Sequence, residues 1–349
     1  MKSSYHKEDV ILLLKDITGL VKPQSTEERE RLIQSGRHYC EMLPIEYVPT
    51  EKYMETYREA LKNYAEPVAR AVGILADKII QRKGKKVVLV SLARAGIPVG
   101  ILLKRYIKWK YQIEVLHYSL SIIRGKGIDE NAVNYILKHH RGKDIQFVDG
   151  WVGKGAILKE LERAVAPFGQ ISPELAVIAD PANITDLCGT HEDILIPSSC
   201  LNSTVSGLVS RTFLRDDIIG KDDFHGAVYY GELIDSDLSY GFIEAIEKEF
   251  KKESHIREEA AEGTGIDEVR KIAGRYGIED INLVKPGIGE TTRVLLRRVP
   301  WKILISDDCK EDVSLSHIFR LAEEKQVPVE YYPLKHYKTC GIIKKLADA

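Results

Sequence analysis

Between Lys86 and Ala179 the chain alternates short apolar runs with segments of helical periodicity, and this alternation constrains the fold more than any other feature. The apolar runs lie at 86–92 (KVVLVSL), 113–119, 145–149 (IQFVD) and 175–179 (LAVIA), with helices predicted over 98–110, 130–140 and 154–166. Strands that alternate with helices of about 10 to 15 residues make βαβ units, whose parallel sheet is covered on both faces. A Rossmann-like parallel α/β sheet is therefore expected, with any ligand beyond the carboxyl ends of its strands.

At 349 residues the chain exceeds what one core usually organises, and roughly 150 residues per domain suggests two units. Upstream of the sheet, Tyr53, Tyr57, Leu61, Tyr64, Val68, Val72, Leu75 and Ile79 recur at helical spacing and predict a long helix from Thr50 to about Lys83, bent near Pro67. Residues 1–50, with one apolar run at Val10–Leu14, read as an arm on the first domain, and the polar stretch 181–250 as a hood over the sheet's active edge. A charge run from Lys248 to Glu262, followed by Gly263-Thr264-Gly265, marks the boundary. The expected division is 1–250, a linker over 251–264, and a small α/β/α sandwich over 265–349. Within that sandwich, strands are predicted at 281–284, 301–306 and 328–331, and helices at 266–276, 290–298, 315–325 and 335–346.

A formal net charge of −1 gives no overall basic field, so any nucleic-acid surface must be a local patch. The five cysteines are scattered without a CxxC pair and read as reduced thiols. No apolar stretch approaches the ~18 residues of a membrane span, and the N-terminal run is too short for a signal peptide. Cytoplasmic residence is the expectation.

The chemistry concentrates in two loops. In the first, the strand ending at Asp149 turns through Gly150-Trp151-Val152-Gly153-Lys154-Gly155-Ala156 into a helix, which directs backbone N–H groups and a positive helix end at one point. This suits a phosphate, yet it is neither a Walker A loop, since Ala156 and Ile157 stand where Lys and Ser/Thr belong, nor GxGxxG. In the second, Ser91-Leu92-Ala93-Arg94-Ala95-Gly96-Ile97-Pro98 links the first sheet strand to its helix. There Arg94 offers a forked cation, while Ala95 and Gly96 allow close backbone approach. Between them, Arg124 and Lys126 are flanked by glycines in a segment that could close over a ligand.

These loops resemble those of the type I phosphoribosyltransferases, with Gly150 in the place of that family's usual second acid. The resemblance implies that Asp149 meets the ribose hydroxyls of phosphoribosyl pyrophosphate (PRPP) and, indirectly, its Mg²⁺. The loop residues Gly150, Val152, Gly153, Lys154, Gly155 and Ala156 would hold the 5-phosphate. Arg94, with the Ala95 and Gly96 amides, would hold the diphosphate, and Arg124 and Lys126 would close the site. A nucleobase-like nitrogen acceptor would sit under hood residues Cys200, Asn202, Ser203 and Arg211. The resemblance is compatible with a homodimer.

Through VDGWVGKGAI, SIIRGKGIDENAVNYIL and the stretch from Ile196 to Thr212, the chain is most similar to a bacterial subgroup associated with tellurite-resistance gene clusters, some of whose members are called cysteine protease StiP. In that subgroup the transferase domain is joined to a Pelota-type RNA-binding domain. The stretch from Lys285 to Arg293 resembles its Gly-x-x-Glu-x-Thr-Lys/Arg helix start, and the resemblance implies RNA as a partner, met by Lys285, Gly287, Gly289, Glu290, Thr291, Arg293 and Arg297. Two further expectations stand beside the transferase. One is a cysteine protease with Cys200 as nucleophile and His191 or His225 as base; the other is a PRPP-binding, RNA-associated regulator without turnover.

Overall fold

A computed structural model of the chain describes residues 1–252 and 262–344. The central sheet has six parallel strands in the order β1-β4-β3-β7-β8-β9. Of these, β3 (Val88–Leu92), β4 (Leu116–Leu120), β7 (Ile145–Trp151) and β8 (Leu175–Ala179) are the four expected from the sequence. The outer two were not expected. β1 (Ile11–Leu12) comes from the N-terminal arm, whose apolar run adds a strand beside β4 instead of merely packing on the domain. β9 (Cys188–Thr190) is only three residues long and lies in the region read as irregular.

The predicted helices form with shifts of a few residues at their ends. One further helix, α1 (Thr26–Gln34) in the arm, was not expected; α2 (Glu51–Lys83) runs 33 residues with Pro67 inside it. α3 (Gly96–Tyr111), α4 (Glu130–His139) and α5 (Ala156–Val165) are the crossover helices. The Asp129 side chain caps α4 by accepting from the Ala132 amide at 3.0 Å, as short acidic caps do. The residues between β4 and α4 fold as a hairpin, β5 (Ile122–Ile123) with β6 (Gly127–Ile128), so the stretch expected to be a mobile hood carries paired strands. Over 181–250 the chain also makes a parallel ladder of β2 (Lys15–Asp16) with β10 (Gly226–Ala227), and the helix α6 (Ser239–Glu247).

The C-terminal sheet has the order β11-β14-β12-β13. Its strands are β11 (Val284–Pro286), β12 (Pro300–Ser306), β13 (Val329–Tyr332) and β14 (Thr339–Ile343); its helices are α7 (Gly265–Arg275), α8 (Ile288–Arg297) and α9 (Ser316–Glu324). The expected helix over 335–346 is wrong. Thr339-Cys340-Gly341-Ile342-Ile343 is a β-branched run that pairs antiparallel with both β11 and β12, and Gly341 allows α8 to settle on it, with Val294 within 3.2 Å of where a Cβ would lie. The expected linker at 251–264 falls largely on 253–261, outside the described residues.

One hydrophobic core joins the two sheets. Val72, Leu75 and Ile79 of α2 belong to the same buried cluster as Ile288 and Leu295 of α8 and Ile303 of β12. α2 also donates to the C-terminal part directly: Tyr53 Oη to Leu296 O at 2.8 Å and Tyr64 Oη to Ser314 O at 3.3 Å. Among the described residues no helix is long and apolar enough to cross a membrane.

Candidate site at the strand ends

Asp149 sits near the end of β7, with its Oδ1 accepting from the Gly150 amide at 2.8 Å. Burial pushes its carboxyl up to about 6, against the pull of the Gly150 amide and the Arg293 cation. The Arg94 loop closes on it from β3. A Cβ on Gly96 would lie 2.6 Å from Val148 O and 3.4 Å from Asp149 Oδ1, so the two loops read from the sequence meet backbone to backbone, which only glycine permits. The Ala93–Arg94 peptide is cis.

The phosphate-type loop is less open than its sequence suggests. The Val152 amide donates to Ala179 O at 3.0 Å, and Tyr337 Oη donates to Gly153 O at 2.7 Å. Lys154 Nζ donates to the carbonyls of Ile281 at 2.8 Å and Val284 at 3.1 Å, and burial pushes its amine down to about 8. The C-terminal part thus rests on this loop and takes up its one lysine. Gly155, at φ 78, precedes α5, whose first residue is Ala156.

The residues read as RNA-binding face the strand ends. Arg293 Nε donates to Ser199 O at 3.3 Å, its guanidinium lies 5.1 Å from the Trp151 ring centroid, and it pairs with Glu290 at 3.1 Å. Arg297 donates to Asn202 Oδ1 at 2.7 Å and to Cys200 O at 2.8 Å. Thr291 is fully buried, its Oγ1 accepting from Thr339 Oγ1 at 2.9 Å. Lys285 is held on β11 near Glu290, where burial lowers its amine. Gly289 lies against Ser199, and Gly287, at φ 92, lies against Asp193.

Asp193 is the residue that sequence reasoning missed. It is buried, it accepts from the Ile288 amide at 3.0 Å and from the Lys338 amide at 2.9 Å, and burial pushes it up to about 6. Its carboxylate fills the start of α8, where backbone amides favour an anion. No local motif marks it; only the approach of two distant segments does.

Arg94 Nη1 meets Glu46 Oε1 at 3.4 Å and Val209 O at 3.0 Å, while Nη2 meets Asn202 Oδ1 at 3.3 Å. Ser203 Oγ donates to Glu46 Oε2 at 3.1 Å, and the Arg211 guanidinium lies 5.8 Å from the Tyr39 ring centroid. The hood residues Asn202, Ser203 and Arg211 are therefore gathered around Arg94. Arg124 borders this group through Tyr39, its amide donating to Tyr39 Oη at 3.1 Å, while its side chain donates to Asn282 Oδ1 at 3.4 Å. Lys126 sits at the hairpin tip and is exposed.

Cys200 is fully buried, and burial pushes its thiol up to about 12 despite Arg297 and Arg293 nearby. Neither proposed base reaches it. His225 Nδ1 bonds Ser121 Oγ at 2.8 Å. His191 is engaged with Cys188 instead: its Nδ1 donates to Asp180 O at 2.9 Å, which leaves Nε2 as the acceptor 3.4 Å from Cys188 Sγ.

Comparison with known proteins places this arrangement in a family. The family model described as tellurite-like stress resistance cysteine protease StiP matches residues 3–247, and that of the PELOTA RNA binding domain matches residues 263–345. A protein of Acinetobacter baylyi named cysteine protease StiP is 35% identical over 98% of this chain and 94% of its own length. Among solved structures, a hypothetical protein from Neisseria gonorrhoeae with bound ppGpp is 14% identical, at a TM-score of 0.25 over 32% of this chain and 66% of that one. A hypoxanthine-guanine phosphoribosyltransferase from Bacillus anthracis is 17% identical, at 0.24 over 41% and 75%. With one family model spanning most of the sequence and a relative aligned along nearly all of it, the chain belongs to the StiP family and carries a PELOTA-type C-terminal region.

Proposed function

We propose that the strand-end site binds PRPP and transfers its ribose 5-phosphate to a nitrogen acceptor, while the C-terminal part associates with RNA. The approach of Gly96 to Val148 and Asp149 carries this reading, because it brings a cationic turn and an acidic strand end to one point. Asp149 would orient the ribose hydroxyls, and Arg94 with the Ala95 and Gly96 amides would stabilise the departing diphosphate. The C1–O bond to diphosphate breaks as a C1–N bond forms, and the acceptor's proton passes to solvent; catalysis rests on positioning and charge. No cluster of three His, Cys, Asp or Glu side chains stands ready for a metal among the described residues. Asp149 would therefore be the protein's one contribution, through water, to a Mg²⁺ carried by the diphosphate, whose charge it would neutralise. Calorimetric titration of PRPP, with and without Mg²⁺, tests the reading: wild type should bind only with Mg²⁺, and Asp149→Asn should lose binding. Folded wild type that does not bind PRPP overturns it.

The second reading is a cysteine peptidase, which the family's description and the relative's name support more directly than they support a transferase. The observation that favours it is the pair Cys188–His191, with the Asp180 carboxylate 3.8 Å from His191 Nδ1. Such a pair can pass the thiol proton to the imidazole and leave a thiolate, although Cys188 is buried like Cys200, so cleavage would require the site to open. On this geometry the nucleophile is Cys188 rather than Cys200, and Cys188→Ser should abolish any cleavage that Cys200→Ser leaves intact.

A further inference from the structure

A cavity of about 660 Å³ opens where residues 44–50, Arg94, the segment 201–211 and α8 converge. Seven Arg and Lys side chains line it against two carboxylates, Glu46 and Glu290. Both carboxylates are already engaged, Glu46 by Arg94 and Ser203, and Glu290 by Arg293. Of the innermost cations, only Arg94 has a carboxylate partner among the described residues, Glu46, which it shares with Ser203. Arg94 and Arg297 both donate to the neutral Asn202 Oδ1, at 3.3 and 2.7 Å, and Arg297 Nε is buried without a hydrogen-bond partner among the described residues. Arg211 lies over Tyr39 and makes no ion pair among the described residues. Burial pushes both Arg211 and Arg297 down to about 10, and the nearby Arg94 pushes each the same way. The rim is of the opposite character: Tyr47 is 71% exposed, Val48 58% and Ile45 40%.

We infer that this cavity binds a nucleotide carrying two or more phosphates, with its phosphates among Arg94, Arg211 and Arg297 and its base on the Tyr47–Ile45 rim. Guanidiniums crowded on a neutral acceptor gain most from a multiply charged, fork-accepting anion. An exposed aromatic beside apolar side chains offers a stacking face for a base. The volume falls within the range of small-molecule sites. Because Arg94 follows β3 and Arg297 belongs to α8, such a ligand bridges the sheet domain and α8. The cavity shares Arg94 with the phosphoribosyl reading, but Asp149 is not among its lining residues, so the two sites are separable by variants at Asp149 and Arg211.

The nucleotide could be free or could be the 5′ end of an RNA, and the test separates the two. GTP, ATP, inorganic tripolyphosphate, and a short oligoribonucleotide with either a 5′-triphosphate or a 5′-hydroxyl are titrated into the full chain at fixed salt. A free-nucleotide site binds GTP or ATP at least as tightly as the triphosphorylated oligomer. An RNA-end site prefers that oligomer at least tenfold over both its 5′-hydroxyl form and the free nucleotides. In either case Arg211→Gln weakens binding at least tenfold. Tyr47→Ala, at an exposed position that folding does not need, weakens nucleotides several-fold while leaving tripolyphosphate unchanged. Asp149→Asn removes PRPP binding and spares nucleotide binding, so failure of one proposal does not resemble failure of the other. If neither the nucleotides nor the triphosphorylated oligomer bind, or if they bind equally well to Arg211→Gln and Tyr47→Ala, the inference is overturned.

Discussion

Asp193 and Ile288, 95 residues apart in sequence, meet as carboxylate and amide at 3.0 Å, so a side chain from the sheet domain occupies the anion-favouring start of α8. The same carboxylate accepts from the Lys338 amide at 2.9 Å. Asp193→Ala leaves these buried amides unpaired and should loosen the C-terminal part by about 1–3 kcal/mol. Hydrogen exchange at the start of α8 reports it directly. The amides of Ile288 and Lys338 should exchange faster in the variant, and unchanged protection would show that Asp193 does not hold this contact.

The pH dependence of stability should run against the usual acid behaviour over part of its range. Asp149 and Asp193 are both raised to about 6 in the folded chain, above their unfolded values. Between those values the folded state binds more protons than the unfolded one, so stability is gained as pH falls from about 7 towards 5 and lost as it rises through 6. Asp149→Asn removes one such group. It should stabilise the protein at pH 7 by about 1–3 kcal/mol, with the gain shrinking towards pH 4. Urea unfolding at a series of pH values measures this.

Gly96→Ala tests the contact between the two loops. The added methyl must displace Val148 O, a backbone atom that cannot rotate away, at a cost of about 1–3 kcal/mol. The thermal midpoint should fall, and PRPP binding should fall further than stability alone explains. Binding that survives unchanged would mean that close apposition of the loops is not needed for the ligand.

The thiols should differ sharply in reactivity. Burial pushes Cys200 up to about 12 and Cys40 up to about 11, so both should resist iodoacetamide at pH 8 in the native protein. Cys309, partly exposed, should be alkylated first. Mapping of the modified peptides by mass spectrometry ranks the five, and modification of Cys200 ahead of Cys309 would contradict its burial.

The parallel sheet was legible because β3, β7 and β8 are continuous buried runs, and such runs have few alternatives when helices separate them. β9 was not, because three residues carry no periodicity and Cys188–Thr190 become a strand only by pairing with β8. The stretch 335–346 misled because its lysines and leucine imitate a helical pattern, whereas the pairing of Thr339–Ile343 with two neighbouring strands decides its state. In the candidate site, Arg94, Gly96 and Asp149 stood out through local motifs, and the structure brings their two loops together. The gathering of α8 onto the strand ends did not, since it depends on Asp193, Ser199 and Asn202, ordinary polar residues whose meaning comes only from what reaches them.

The length of α2 has a mechanical consequence. Thirty-three residues of helix rise about 50 Å, and along that span the helix touches both halves of the molecule, bonding Leu296 through Tyr53 near its start and packing Ala71 against Gly189 of β9 beyond its middle. It therefore sets the phase between them. Inserting a single residue between Tyr64 and Ala71 would turn one end by about 100° relative to the other, carrying Tyr53 away from Leu296 while β9 stayed in place. The cavity beside Arg297 is thus held to its shape by a rigid spindle whose pitch leaves no freedom to slip by less than a turn.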